Sequence, residues 1–180
     1  MIGWLRGRVL ECGTESILLD VQGVGYEILA SANTLAEVEA RRGREVSLWI
    51  HTHIREDALQ LFGFSSKNEK ELFLSLLKVN GIGPRSAIGI LSGSSVEGII
   101  RLIEAGDVRG LTALPKVGKK TAEQIILSLR GKLVQTENEK LLRSSAVGEI
   151  QSALLHLGFK ASQVENFVVS LPADISVEEG

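Results

Sequence analysis

Two stretches, VNGIGPRSA at 79–87 and LPKVGKKTA at 114–122, are near-copies of one another 35 positions apart. Ile82 matches Val117, Gly83 matches Gly118, Arg85 matches Lys120, Ser86 matches Thr121 and Ala87 matches Ala122. In each copy an apolar segment runs into a small turn, and a segment of helical spacing begins directly behind it. A chain that repeats helix–turn–helix at this interval is committed to a tandem helical unit there. The arrangement apolar-x-Gly-apolar-Gly between two helices is the helix-hairpin-helix pattern.

The tip of such a hairpin suits an anion. Glycine permits positive φ and leaves room for another backbone to approach. The next helix starts there, so its unpaired N–H groups and the positive end of its dipole point outward. Arg85, Lys119 and Lys120 add charge at the same place. A tip of this kind holds a phosphate without reading a base, so it recognises backbone shape. A single glycine-bearing turn is more often a plain connection; two copies, each followed by basic residues, favour phosphate. Paired grips also suit a duplex, with backbone held on both sides of a minor groove. The second copy departs at Lys116, which stands where the first has Gly81. Either the backbone there tolerates a side chain, at about 1 kcal/mol or more if φ is positive, or the second turn has a different shape.

Charge is segregated along the chain. Residues 1–64 carry 6 Lys+Arg and 9 Asp+Glu, residues 65–133 carry 11 and 6, and residues 134–180 carry 3 and 7. The repeat therefore lies in the only basic segment of a chain whose net charge is −2. That is where a polyanion would bind, although chance clustering of surface charge accounts for the segregation equally well on its own. One cysteine, Cys12, excludes an internal disulfide framework and points to a reducing compartment. His51 and His53 alternate on an expected strand and read as a solvated or hydrogen-bonded pair rather than metal ligands. No metal or cofactor is expected. MIGWLRGRVLE carries Arg6, Arg8 and Glu11 where a signal peptide needs an apolar run. No stretch has the length of a membrane span, so a soluble cytoplasmic protein without membrane contact is expected.

The remaining pattern predicts a multidomain chain. Residues 1–64 hold five short β-branched runs, WLRGRVLE, SILLDV, GYEILA, EVSLWIH and LQLFGF. Gly23-Val24-Gly25 reads as a tight connection, and Asn33 as the cap of a short helix between strands three and four. Five strands with a helix after the third outline an all-β OB-fold barrel, although other small barrels share the pattern. Residues 65–133 predict an all-α domain of five short helices, with capping boxes at Ser66–Glu69 and Ser94–Glu97. Residues 134–145 are polar and predict a flexible linker. Residues 146–180 predict a small helical domain: one amphipathic helix stopping at Gly158, a second ending at Pro172, and a third that would start at Ser176 without room to form.

HIREDALQLFGF at 53–64 places Glu56 and Asp57 between two strands. Chemistry alone favours a solvated turn. With GVGYEI at 23–28, NGIGPRSAIGILS at 80–92 and the N-terminal MIGWLRGRVLE, however, the chain resembles the RuvA family, the Holliday-junction-binding subunits of the bacterial branch-migration complex. The resemblance runs in order from Met1 to about residue 132 and resumes at 146–171.

That resemblance implies a homotetramer, one or two of which hold a four-way DNA junction open and square during recombination and repair. It implies phosphate contacts from Gly81, Gly83, Arg85 and Ser86 in the first hairpin, and from Gly118, Lys119, Lys120 and Thr121 in the second. Glu56 and Asp57 become an acidic pin that repels phosphates at the crossover, which reverses the bland reading of that turn. The C-terminal domain implies contact with RuvB, a hexameric ATPase motor, with Leu154, Leu157, Phe159 and Phe167 as candidates, and the RuvC resolvase joins the larger complex. The subunit itself implies no catalysis. GVGKK does not have the spacing of a phosphate-binding P-loop. Against the family pattern, Trp4 and Gln124 replace residues that are commonly basic, Lys116 replaces a glycine, and a third C-terminal helix is not expected to form within these 180 residues.

Two other classes match parts of the pattern. LPKVGKKTA also resembles the hairpin of helix-hairpin-helix DNA glycosylases, in which a lysine matching Lys120 attacks the sugar. That chemistry needs a downstream aspartate, and the following segment offers only Glu137 and Glu139 around Asn138. Its iron–sulfur version needs four cysteines. A generic duplex-binding module with no preference for junctions is the other alternative.

Overall fold

A computed structural model of the chain describes residues 1–55, 58–133 and 154. Five strands open the chain: β1 (Trp4–Cys12), β2 (Ser16–Val21), β3 (Val24–Ala30), β4 (Glu45–Ile54) and β5 (Leu59–Phe64). They close into a barrel in the order β1-β2-β3-β5-β4. All pairings are antiparallel except β3 with β5. Strand β1 closes the sheet by pairing with β4 through its first half and with β2 through its second, and its register shifts between Val9 and Glu11. A bulge of this kind bends a strand round a corner. Alternation then sends Leu5, Val9, Ile17, Leu19, Leu48 and Ile50 into the barrel interior. Helix α1 (Ala32–Glu39) lies between β3 and β4 in sequence and adds Leu35 and Val38 to that core. This is the expected OB-like outline.

Two local expectations shift. The tight connection is Gln22-Gly23, with φ of 55° and 88°, and not Gly23-Val24-Gly25. Val21 pairs with Val24, so the last two of the expected three residues are already strand. Two consecutive left-handed residues match the twist of a hairpin, and the Asp20 carboxylate accepts from the Gly23 N–H at 2.7 Å. The cap of α1 is Ser31, which accepts from Thr34 N–H, and not Asn33. Asn33 instead donates its amide to the carbonyls of Leu91 and Ser94 at 2.8 and 2.9 Å.

Five helices follow: α2 (Lys67–Leu77), α3 (Pro84–Ser92), α4 (Val96–Ala105), α5 (Val108–Thr112) and α6 (Lys119–Leu129). Strands give way to helices between Phe64 and Lys67, and barrel and helices lie in one compact unit, Met1–Arg130. Phe73 of α2 packs on Phe62 and Phe64 of β5, with ring centres 5.5 and 4.9 Å away, and on His51 of β4 at 5.5 Å. Burial, followed by the charges of His53 and Lys70, lowers the pKa of His51. His53 accepts a hydrogen bond from Arg55 at 3.0 Å. Among the described residues no single helix is long and apolar enough to cross a membrane.

The capping box at Ser66 forms only in part. Ser66 accepts from Glu69 N–H at 3.1 Å. The Glu69 carboxylate is buried and accepts from the hydroxyls of Ser31 (2.5 Å) and Thr34 (2.7 Å) and from Ser65 N–H (3.2 Å). One helix of the second segment thus ties the barrel's own helix to the strand exit. At the second expected box the cap is Ser95, bonded to Gly98 N–H, so Glu97 is out of register for a reciprocal bond. Replacing Glu69 with Ala removes the acceptor of two buried hydroxyls, Ser31 and Thr34, while Ser65 N–H keeps the Thr34 hydroxyl at 3.2 Å. Each group left without an acceptor costs about 1–3 kcal/mol, so a total near 3 kcal/mol is expected. Calorimetry should show a fall in Tm of roughly 10 °C for a unit of this size. A change under about 2 °C would mean the joint is not held by this carboxylate.

Candidate nucleic-acid interface

The repeat is structural as well as textual. Gly83 and Gly118 cap α3 and α6 with φ/ψ of −92°/174° and −90°/172°. Ile82 N–H reaches the Val79 carbonyl at 3.1 Å, and Val117 N–H reaches Leu114 at 3.3 Å. Ala87 and Ala122 each bond to their capping glycine's carbonyl at 2.9 Å. The buried pairs Leu76/Leu111, Val79/Leu114, Ile82/Val117 and Ile90/Ile125 hold both hairpins from below. Gly81 has φ of 86° and Lys116 has φ of 65°. The second turn therefore has the shape of the first, and Lys116 occupies a left-handed position in which an L side chain is strained by about 1–2 kcal/mol. This settles the choice the sequence left open.

The helix starts separate into two classes. Helices α1, α2, α4 and α5 are capped by the side chains of Ser31, Ser66, Ser95 and Asp107. Helices α3 and α6 have no side-chain cap. Their capping glycines are in extended conformations open to any residue, and a Cβ added at either would touch nothing within 4 Å. Neither backbone conformation nor space inside the chain requires glycine there. Both tips are instead left bare, with N–H groups unclaimed by any capping side chain. Lys116, Lys119 and Lys120 beside the second tip are exposed, and among the described residues none takes part in an ion pair. Arg85 beside the first is exposed and stands 3.9 Å from the Glu15 carboxylate, too loose and too solvated to neutralise it. Ser86 and Thr121 are half-buried on the first turns of α3 and α6.

The two hairpins are also locked together. Gly89 on α3 and Gly93 at its C-terminal cap, four residues apart, form a notch for the second turn. A Cβ at Gly93 would stand 2.5 Å from Pro115 Cδ, and one at Gly89 would stand 3.1 Å from Lys116 Cγ. Both contacts are closer than ordinary van der Waals packing, so the spacing between tips depends on these two missing side chains. An open groove of about 300 Å³ lies beside this notch, lined by Arg85, Gly89 and Lys116 on one side and by Thr14, Glu15 and Leu29 of the barrel on the other. A second groove shares Arg85 and Leu29 and continues to Ala58, Leu59 and Gln60 at the β4–β5 hairpin.

Glu56 and Asp57 lie outside the described residues. The hairpin that carries them is closed by Arg55 N–H on the Ala58 carbonyl at 2.8 Å, and Ile54 pairs with Leu59 at its base. Leu154 is a half-buried helical residue, while Leu157, Phe159 and Phe167, with the 134–145 segment, fall outside the described residues. Sequence reasoning missed Lys116 as a groove residue. The break in the repeat was its only signal.

Residues 1–63 match the family described as RuvA N terminal domain, and residues 73–132 match the SAM-like helix-hairpin-helix tandem. The chain is 58% identical to the Holliday junction branch migration complex subunit RuvA of Bdellovibrio bacteriovorus, covering 100% of this chain and 93% of that protein. It is 42% identical to the protein of the same name in Acinetobacter baumannii strain SDF, over 97% of this chain and 92% of that one. The corresponding Marinomonas protein is 39% identical over 99% and 94%. With the closed barrel and both hairpins in the same order along the chain, this likeness establishes that the chain belongs to the RuvA family.

Proposed function

We propose that this protein binds four-way DNA junctions as a homotetramer and serves as the DNA-binding subunit of a branch-migration complex in recombination and repair. The observation that carries this reading is the pair of matching hairpin tips, whose helix starts lack the side-chain caps found on α1, α2, α4 and α5. In each subunit the first tip (Gly81, Gly83, Arg85, Ser86) and the second (Gly118, Lys119, Lys120, Thr121) hold phosphates of one duplex arm through backbone N–H groups and nearby positive charge. Fourfold symmetry brings four such pairs to four arms. Glu56 and Asp57 ring the crossover and repel phosphates where strands part. The C-terminal region, with Leu154, Leu157, Phe159 and Phe167, contacts the RuvB motor, which hydrolyses ATP; RuvC acts on the same junction. The subunit works in the cytoplasm and performs no chemistry itself.

Light scattering with and without a synthetic junction tests the assembly. Four or eight copies per junction are expected. One copy per junction, or one copy per arm without self-association, would overturn the tetrameric reading.

A further inference from the structure

Lys116 is strained where a glycine would be at ease. Its φ of 65° is one of two positive values among the described non-glycine residues, and the matching position of the first hairpin is Gly81 at 86°. The other such residue, Gln22, sits in a two-residue hairpin turn whose geometry demands left-handed backbone. Strain that a single glycine would relieve is retained when the side chain has work elsewhere.

The surroundings indicate that work. The Lys116 stem leaves its own hairpin and lies against α3 of the other one, over the bare surface of Gly89. It lines the same groove as Arg85. Among the described residues Glu15 is the one carboxylate on that groove's wall, and it is exposed, so two cations face one solvated anion. No hydrogen bond or ion pair to a described residue occupies Lys116.

We infer that Lys116 is a phosphate-binding residue that joins the two hairpins into a composite site, adding a charge from the second hairpin beside Arg85 of the first. The ligand is a nucleic-acid backbone phosphate lying between the two tips. This rests on the reading of the hairpins as phosphate grips, and the test separates the two ideas.

Junction affinity is measured against salt concentration for Lys116→Gly, Lys116→Met and the Lys119→Ala/Lys120→Ala pair, with thermal unfolding of each. Lys116→Gly should unfold at a higher temperature yet bind more weakly, by about eightfold for each phosphate no longer neutralised near 0.1 M salt, with the log–log slope reduced by about 0.9. Lys116→Met keeps the stem over Gly89 and should show the same fall in affinity and slope. Wild-type slopes in both variants, with a reduced slope in the Lys119/Lys120 pair, would overturn the role of Lys116 and leave the hairpin reading standing. Full affinity in Lys116→Met alone would also overturn it, because the stem and not the charge would then matter. Unchanged slopes in all three would overturn the hairpin reading itself.

Discussion

A four-way junction is expected to outcompete linear duplex of the same sequence for this protein by roughly 10²–10⁴. The chemistry of a single grip cannot produce that difference, because both DNAs offer the same phosphates to the same N–H groups and lysines. The difference arises from linkage. In a junction four arms leave one crossover, so in the proposed tetramer engagement of the first arm would place the other three near their own hairpin pairs. Each later contact is then effectively intramolecular and escapes the entropic cost of a new encounter. A linear duplex offers at most two collinear arms, and its unbroken backbone must cross the centre, where the proposed acidic pin of Glu56 and Asp57 would oppose it. Competition binding with matched sequences measures this directly. Equal affinities would remove junction specificity and favour the generic duplex-binding module.

The second large effect concerns charge. Lys119→Ala together with Lys120→Ala should flatten the salt dependence of junction binding by about 0.9 in log–log slope for each phosphate no longer neutralised, close to 2 per subunit. Near 0.1 M salt the same counterion arithmetic gives an affinity loss of roughly sixty-fold per subunit, and more in a fourfold assembly. Both side chains are exposed on the first turn of α6 and make no ion pair among the described residues. The substitution should therefore leave Tm within about 2 °C of the parent, since surface changes of this kind alter stability by roughly 0.5 kcal/mol or less. An unchanged slope would show that these lysines do not touch phosphate. A large drop in Tm would assign them to folding.

Lys116 shows how a departure from a repeat becomes informative only through geometry. From residue types alone, a lysine in place of Gly81's counterpart left two readings: a strained side chain or a turn of different shape. The φ of 65° decides for the first. The contact with Gly89 decides where the side chain goes, because the notch belongs to a helix of the other hairpin. No local pattern records that approach. Asn33 and Glu69 teach the same lesson. Each has the residue type and spacing of a capping group, and each sends its side chain to a partner distant in sequence: Asn33 to the end of α3, Glu69 to Ser31 and Thr34. Capping rules weigh competition among neighbours along the chain, and a hydrogen-bond partner from another element, carbonyl acceptors for Asn33 and hydroxyl donors for Glu69, outweighs them.

What the sequence determined by itself was local and periodic. Short apolar, β-branched runs between turn residues specified five strands, helical spacing specified the five helices behind them, and the offset of 35 between two turns specified a tandem of hairpins with charge at their tips. These features arise from contacts a few residues apart, so a linear reading captures them. Only the tertiary structure decided how β1 closes the barrel, which side chains cap α1 and join it to α2, and that Gly89 and Gly93 seat the second hairpin on the first. Those outcomes depend on surfaces brought together across many residues. There, a missing Cβ or a buried carboxylate acquires its meaning from what packs against it.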